Sequence, residues 1–122
     1  MEMKKHTIVL ILSMLFCFNA CNKTGADVFI RVNNNTPENF KKVLVNNKSF
    51  ENVDASGITS YQPFENTLNV PVATLITHNN DTLYAGLVYY DLLEHLASGR
   101  YTLKVYKDTT TLSGYNCVYI KD

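Results

Sequence analysis

The chain has 122 residues, 46% of them hydrophobic, with eleven lysines and arginines matched by eleven aspartates and glutamates. That length holds one domain with a modest core and not two, and cancelled charge without a basic stripe leaves a nucleic-acid partner no electrostatic footprint. With no tryptophan and eight tyrosines, Tyr is the main large amphipathic side chain.

At the amino end, Lys4 and Lys5 precede an apolar run from Ile8 to Phe18 broken only by Ser13, and small Ala20 stands before Cys21. This is the layout of a secretory signal peptide. An apolar run of about eleven residues is too short for a hydrocarbon core that needs ~20. Because the cysteine follows the cleavage point, Phe18, Asn19, Ala20, Cys21 resembles a bacterial lipoprotein signal. The resemblance implies removal of 1–20 and lipidation of Cys21 with fatty-acyl chains such as palmitate. Each buried methylene contributes ~0.8 kcal/mol to anchoring. Asn22, in place of an aspartate after the cysteine, implies transfer to the outer membrane by the lipid anchor; which face the domain occupies is left open.

Removal of the signal leaves one free thiol. Cys17 departs and Cys21 carries lipid, so Cys117 remains alone, and a disulfide within the mature chain is impossible. In an oxidising envelope such a thiol belongs in the core, as a small apolar side chain.

Residues 21–26 are small and polar and read as a tether. From Asp27 to Asn33, Val28, Ile30 and Val32 share one face and Phe29, Arg31 and Asn33 the other, the period of a half-buried strand. Asn33 to Pro37 is a turn-former cluster. Phe40 to Val45 is a second strand closed by Asn46 and Asn47, and Ser49 to Val53 a third, stopped by Asp54, Ala55, Ser56 and Gly57. Ile58 to Phe64 extends again, with Pro63 placing it at an edge or bend.

Leu68 to Thr77 is the longest run. Both its faces are fairly apolar, the pattern of a strand covered on two sides, with Pro71 near its start. His78 to Thr82 carries the strongest hairpin signal, because Asn and Asp tolerate positive φ, and Leu83 to Tyr90 is the return strand. Asp91 to Ala97 places Leu92, Leu93 and Leu96 at helical spacing after a capping Asp91, before Ser98 and Gly99. Arg100 to Lys107 alternates with Tyr101, Leu103 and Val105 inward. Asp108 to Gly114 is a Thr-rich loop, and Tyr115 to Ile120 the last strand; the thiol argument favours Tyr115, Cys117 and Tyr119 as its inward set over Asn116, Val118 and Ile120.

About eight short strands with turns every eight to twelve residues predict an all-β domain over 27–122: a β-sandwich of two packed antiparallel sheets. Gly99, Arg100, Tyr101, Thr102 resembles the Gly-x-Tyr-Thr entry to a late strand in immunoglobulin-like and transthyretin-like envelope domains. Phe50, Val53, Gly57, Ser60, Tyr61, Phe64 and Glu65, followed by a long hairpin and then that motif, resemble small envelope lipoproteins of Bacteroidota. That resemblance covers about Val28 to Lys107 and implies no particular activity.

Candidate chemistry is sparse. His78 and His95 lack a His or Cys partner at metal-ligand spacing. Asp91 and His95, four apart, would face the same way on a helix, where an ion pair or cap is the commoner use, so neither a metal nor another cofactor is expected. Ser60, either histidine and Asp91 make a triad only on paper, without a Gly-x-Ser-x-Gly turn; no enzyme is expected. Tyr84 and Tyr90 share a strand face opposite Leu83, Ala85, Leu87 and Tyr89. Exposed, they would stack on sugar rings or anchor a protein; otherwise they stabilise the sheet. Asp81, Thr82, Leu83 and Asp108, Thr109, Thr110 resemble the sites at which Bacteroidota attach O-glycans, making Thr82 and Thr109 candidate acceptors. The expectation is a lipid-anchored, non-catalytic binding or accessory module, or else a glycan-binding module.

Overall fold

The computed structural model describes residues 27–65, 67, 69–86 and 94–122. The signal segment, Cys21 and the tether lie outside them. The elements are β1 (Val28–Asn35), β2 (Phe40–Val45), β3 (Lys48–Val53), β4 (Gln62–Phe64), β5 (Ala73–Thr77), β6 (Thr82–Ala85), β7 (Gly99–Lys107) and β8 (Tyr115–Lys121). They form a two-sheet β-sandwich, with order β4-β1-β7-β8 in one sheet and β3-β2-β5-β6 in the other.

Alternation explains the layers. Val28, Ile30 and Val32 of β1, Tyr101, Leu103 and Val105 of β7, and Tyr115 and Cys117 of β8 point inward to meet Phe40, Val43, Val45, Phe50, Val53, Ala73, Leu75 and Ala85 of the facing sheet. Fully burying a large aliphatic or aromatic side chain contributes ~1.5–3 kcal/mol, so this interleaved layer is the main stabilising term. Two aromatic pairs join the sheets: Phe40 meets Tyr115 edge-on at 5.8 Å, and Phe50 stacks with Phe64 at 6.4 Å. As the thiol argument requires, Cys117 is buried.

Several expectations are corrected. The sheets are not wholly antiparallel: β1 and β7 pair in parallel from Val28↔Gly99 to Asn35↔Tyr106, because the chain crosses to the other sheet and returns between them. The strand expected from Ile58 shortens to Gln62–Phe64, with Pro63 on the sheet edge and Ile58 keeping a single bridge to Asn33. The long run to Thr77 is strand only from Ala73, and just one of its faces, Ala73 and Leu75, is buried. Pro71 lies before it, its carbonyl against Gly86. Of the expected helix, the described residues 94–97 are not helical: the Leu96 amide donates to Thr67 and the Asn69 amide to Glu94, and Leu96 packs on the core.

β1 also runs on into the cluster read as a turn, and Asn34 is fully buried. Its Nδ2 donates to the carbonyls of Glu38 (2.8 Å), Val53 (3.1 Å) and Asp54 (3.1 Å). Its Oδ1 accepts from Thr36 Oγ1 at 2.6 Å. A buried amide is tolerable because its groups are satisfied.

Candidate functional site

Of the two tyrosines expected to share a strand face, Tyr84 lies among the described residues. Tyr84 stands on the outer face of β6, 62% exposed, opposite Thr74 in the ladder, with Ala85 inward. Tyr90, Val88 and Asp91 lie outside the described residues. Thr82 is exposed at the start of β6, and Thr109 is exposed in the β7–β8 loop. In that loop Asp108 Oδ1 accepts from the amide of Thr110 (3.0 Å) and its hydroxyl (2.5 Å). Those bonds, with Asn116 adding a third, hold the Asp108 carboxyl below its ordinary range.

Of the triad expected on paper, Asp91 lies outside the described residues, and among the described residues no hydrogen bond joins Ser60 to either histidine. His78 is exposed in the β5–β6 turn, His95 is exposed beside Leu96, and Ser60 is exposed before β4. Among the described residues no group of three His, Cys, Asp or Glu gathers to hold a metal. Burial pushes the Cys117 thiol up to about 12, so the nucleophilic thiolate is suppressed.

The most connected polar cluster was not singled out by sequence. On the outer face of the β4-β1-β7-β8 sheet, Arg31 Nε donates to Thr102 Oγ1 at 3.0 Å, and Thr102 Oγ1 donates to the Asp122 carboxylate at 2.9 Å. Tyr61 Oη donates to the same carboxylate at 2.5 Å. The Arg31 and Arg100 guanidinium groups lie 4.9 and 5.5 Å from the centre of the Tyr61 ring, within cation–π range. The Tyr61 and Thr102 hydrogen bonds, with the Arg31 and Arg100 charges, hold the Asp122 carboxyl below its usual range, and the same hydrogen bond raises the Tyr61 phenol. The result is an ionised acceptor and a protonated donor satisfied by each other, an arrangement suited to positioning.

A cleft of about 360 Å³ opens on the neighbouring edge, between Glu51–Asp54 at the end of β3 and Gly57–Ser60 before β4. Ile58, 57% exposed, stands on its rim. Its volume falls at the lower end of the ~300–1,000 Å³ usual for small ligand sites. The local signal for it was the Asp54-to-Gly57 turn, which separates the two walls. No family model, curated protein or solved structure matches this chain, so its site is read from its own geometry.

Proposed function

We propose that this chain is a lipid-anchored, non-catalytic β-sandwich that acts in the cell envelope as a binding or accessory module, held at the outer membrane through Cys21. The observation that carries the reading is that the Asp122, Glu38 and Asp108 carboxyls all sit below their ordinary range with donors beside them, while the one described thiol is buried. A general base or nucleophile would need the opposite tuning.

The strand directions support a geometry for the anchor. β1 starts at Val28, so a tether of six residues, spanning at most ~20 Å, leads from Cys21 to the end of the sandwich that carries Gly99 and the Asn46–Asn47 turn. The loops 36–39, 54–57, 78–81 and 108–114 then point away from the bilayer. Changing Cys21 to Ser should block lipidation and leave unprocessed precursor in a membrane fraction probed by mass spectrometry. Normal maturation and retention of that variant would overturn the anchor.

The exposure of Tyr84 favours a second reading, glycan binding, since an aromatic face clear of the core can stack on a sugar ring. The mature chain on a glycan array should then give a signal that Tyr84→Ala removes; an accessory module gives none.

A further inference from the structure

The edge of β3 is capped at two points and open between them. The two-residue turn at Asn46 and Asn47 makes Val45↔Lys48 a hydrogen-bonded pair. Antiparallel pairs alternate, so Ser49 and Glu51 direct their main-chain groups away from β2; at Asn52, with φ of 50°, the alternation breaks and the inward face passes from Phe50 to Val53. The other sheet reaches across to this strand at two points: Gln62 Nε2 donates to the Ser49 carbonyl at 2.9 Å, and Asn34 Nδ2 donates to the Val53 carbonyl at 3.1 Å. Between them, the amide and carbonyl of Glu51 have no partner outside the ladder among the described residues. Glu51 itself lines the cleft whose other wall is Gly57–Ser60.

The charge at this gap has one sign. Glu51 and Asp54 line the cleft and no lysine or arginine does. Glu51 shares its carboxylate with Lys42 at 3.8 Å and Ser49 at 2.8 Å, which leaves Asp54 as the carboxylate without a side-chain partner among the described residues.

We propose that this cleft binds one extended residue of a basic peptide, which pairs main chain to main chain with Glu51 and sets a lysine or arginine side chain against Asp54. An amide and a carbonyl at strand spacing are complemented by the same two groups on another strand, the logic of strand addition. The flanking Gln62 and Asn34 caps limit the pairing to a single residue. Such a short addition implies weak, exchanging binding. This rests on the reading of the chain as a binding module and is independent of the lipid anchor.

The test is an amide-shift NMR titration of the full chain in detergent micelles with N-acetyl-Val-Lys-Val-amide, and with the same peptide carrying Glu in place of Lys. The lysine peptide should shift the amides of Glu51–Asp54 and Gly57–Ser60 with a Kd of about 1 mM, and the glutamate peptide should not. Asp54→Asn should weaken binding about twofold to fivefold, the size of an exposed charge pair. Glu51→Pro should abolish it while keeping the urea midpoint within the range of a surface change, since proline is tolerated where an edge amide faces outward. Equal binding of both peptides, or silence at these amides at about 10 mM peptide, would overturn the cleft. Shifts around Tyr84 instead would overturn it and leave the binding-module reading standing. That reading is tested separately by crosslinking in intact membranes, where the absence of any crosslinked partner would sink it.

Discussion

Asn34 shows how one side chain can tie parts of a sandwich that no strand pairing joins. Its amide reaches the β1–β2 connection at Glu38 and the end of β3 at Val53 and Asp54, while its main-chain amide donates to Gly57 at 2.9 Å. Replacing it with Leu leaves three carbonyls and the Thr36 hydroxyl without this partner, at about 1–3 kcal/mol for a buried group left unmade. Urea unfolding of Asn34→Leu should show a loss of about 3 kcal/mol; a change within the ±0.5 kcal/mol of ordinary surface substitutions would mean that water replaces it freely. Cys117 makes a second residue-scale prediction. With the thiol pushed up to about 12 by burial, iodoacetamide at pH 8 should label it slowly in the native chain and rapidly in urea. Equal rates would place the sulfur at the surface.

At the scale of elements, the strands best read from sequence are those whose cause is local. Phe40 to Val45 has its bounds because the next two residues, Asn46 and Asn47, adopt φ of 46° and 67°, the left-handed pair of a tight hairpin turn. Asn47→Val should therefore cost about 1–2 kcal/mol, since a Cβ-branched side chain resists that region, and the loss should appear in the thermal midpoint; no loss would mean that the turn relaxes. The inward sets of β1 and β7 were legible for the same reason, as alternation is local; on β8 alternation left two sets open, and the lone thiol favoured the set with Tyr115 and Cys117 that is buried. What lay beyond sequence depends on distant neighbours. The parallel pairing of β1 with β7 joins residues 71 positions apart, and that register is what sets Arg31 beside Thr102. The helical spacing around Leu96 was overridden because its amide pairs with Thr67. Asn34 looked like a turn former because Asn is one; its burial depends on carbonyls that β3 and its exit bring to it. The cleft left only the Asp54-to-Gly57 turn as a local trace, being the gap between β3 and the segment before β4 in the other sheet.

For the molecule as a whole, these polar contacts make stability depend on acid in a definite direction. Glu38, held to Lys107 at 2.7 Å, fastens the β1–β2 connection to the end of β7. Asp122, held by Tyr61 and Thr102, fastens the segment before β4 across β1 and β7 to the end of β8. Both carboxyls lie lower in the folded chain than ordinary carboxyls do, Glu38 chiefly through its bond to Lys107 and Asp122 chiefly through its bond to Tyr61. Unfolding returns them to about 4.3 and 3.9. Between the folded and unfolded values the unfolded chain binds more protons, so stability rises with pH there. The contribution is complete above the unfolded values and disappears as pH falls through the folded ones. Combining Glu38→Gln with Asp122→Asn should accordingly lower the urea midpoint at pH 7 and lower it less at about pH 2, since the contribution fades as pH falls through the folded values. A deficit of equal size at both pH values would show that the carboxylates act through shape and packing, and that their charge does not fasten the sheets.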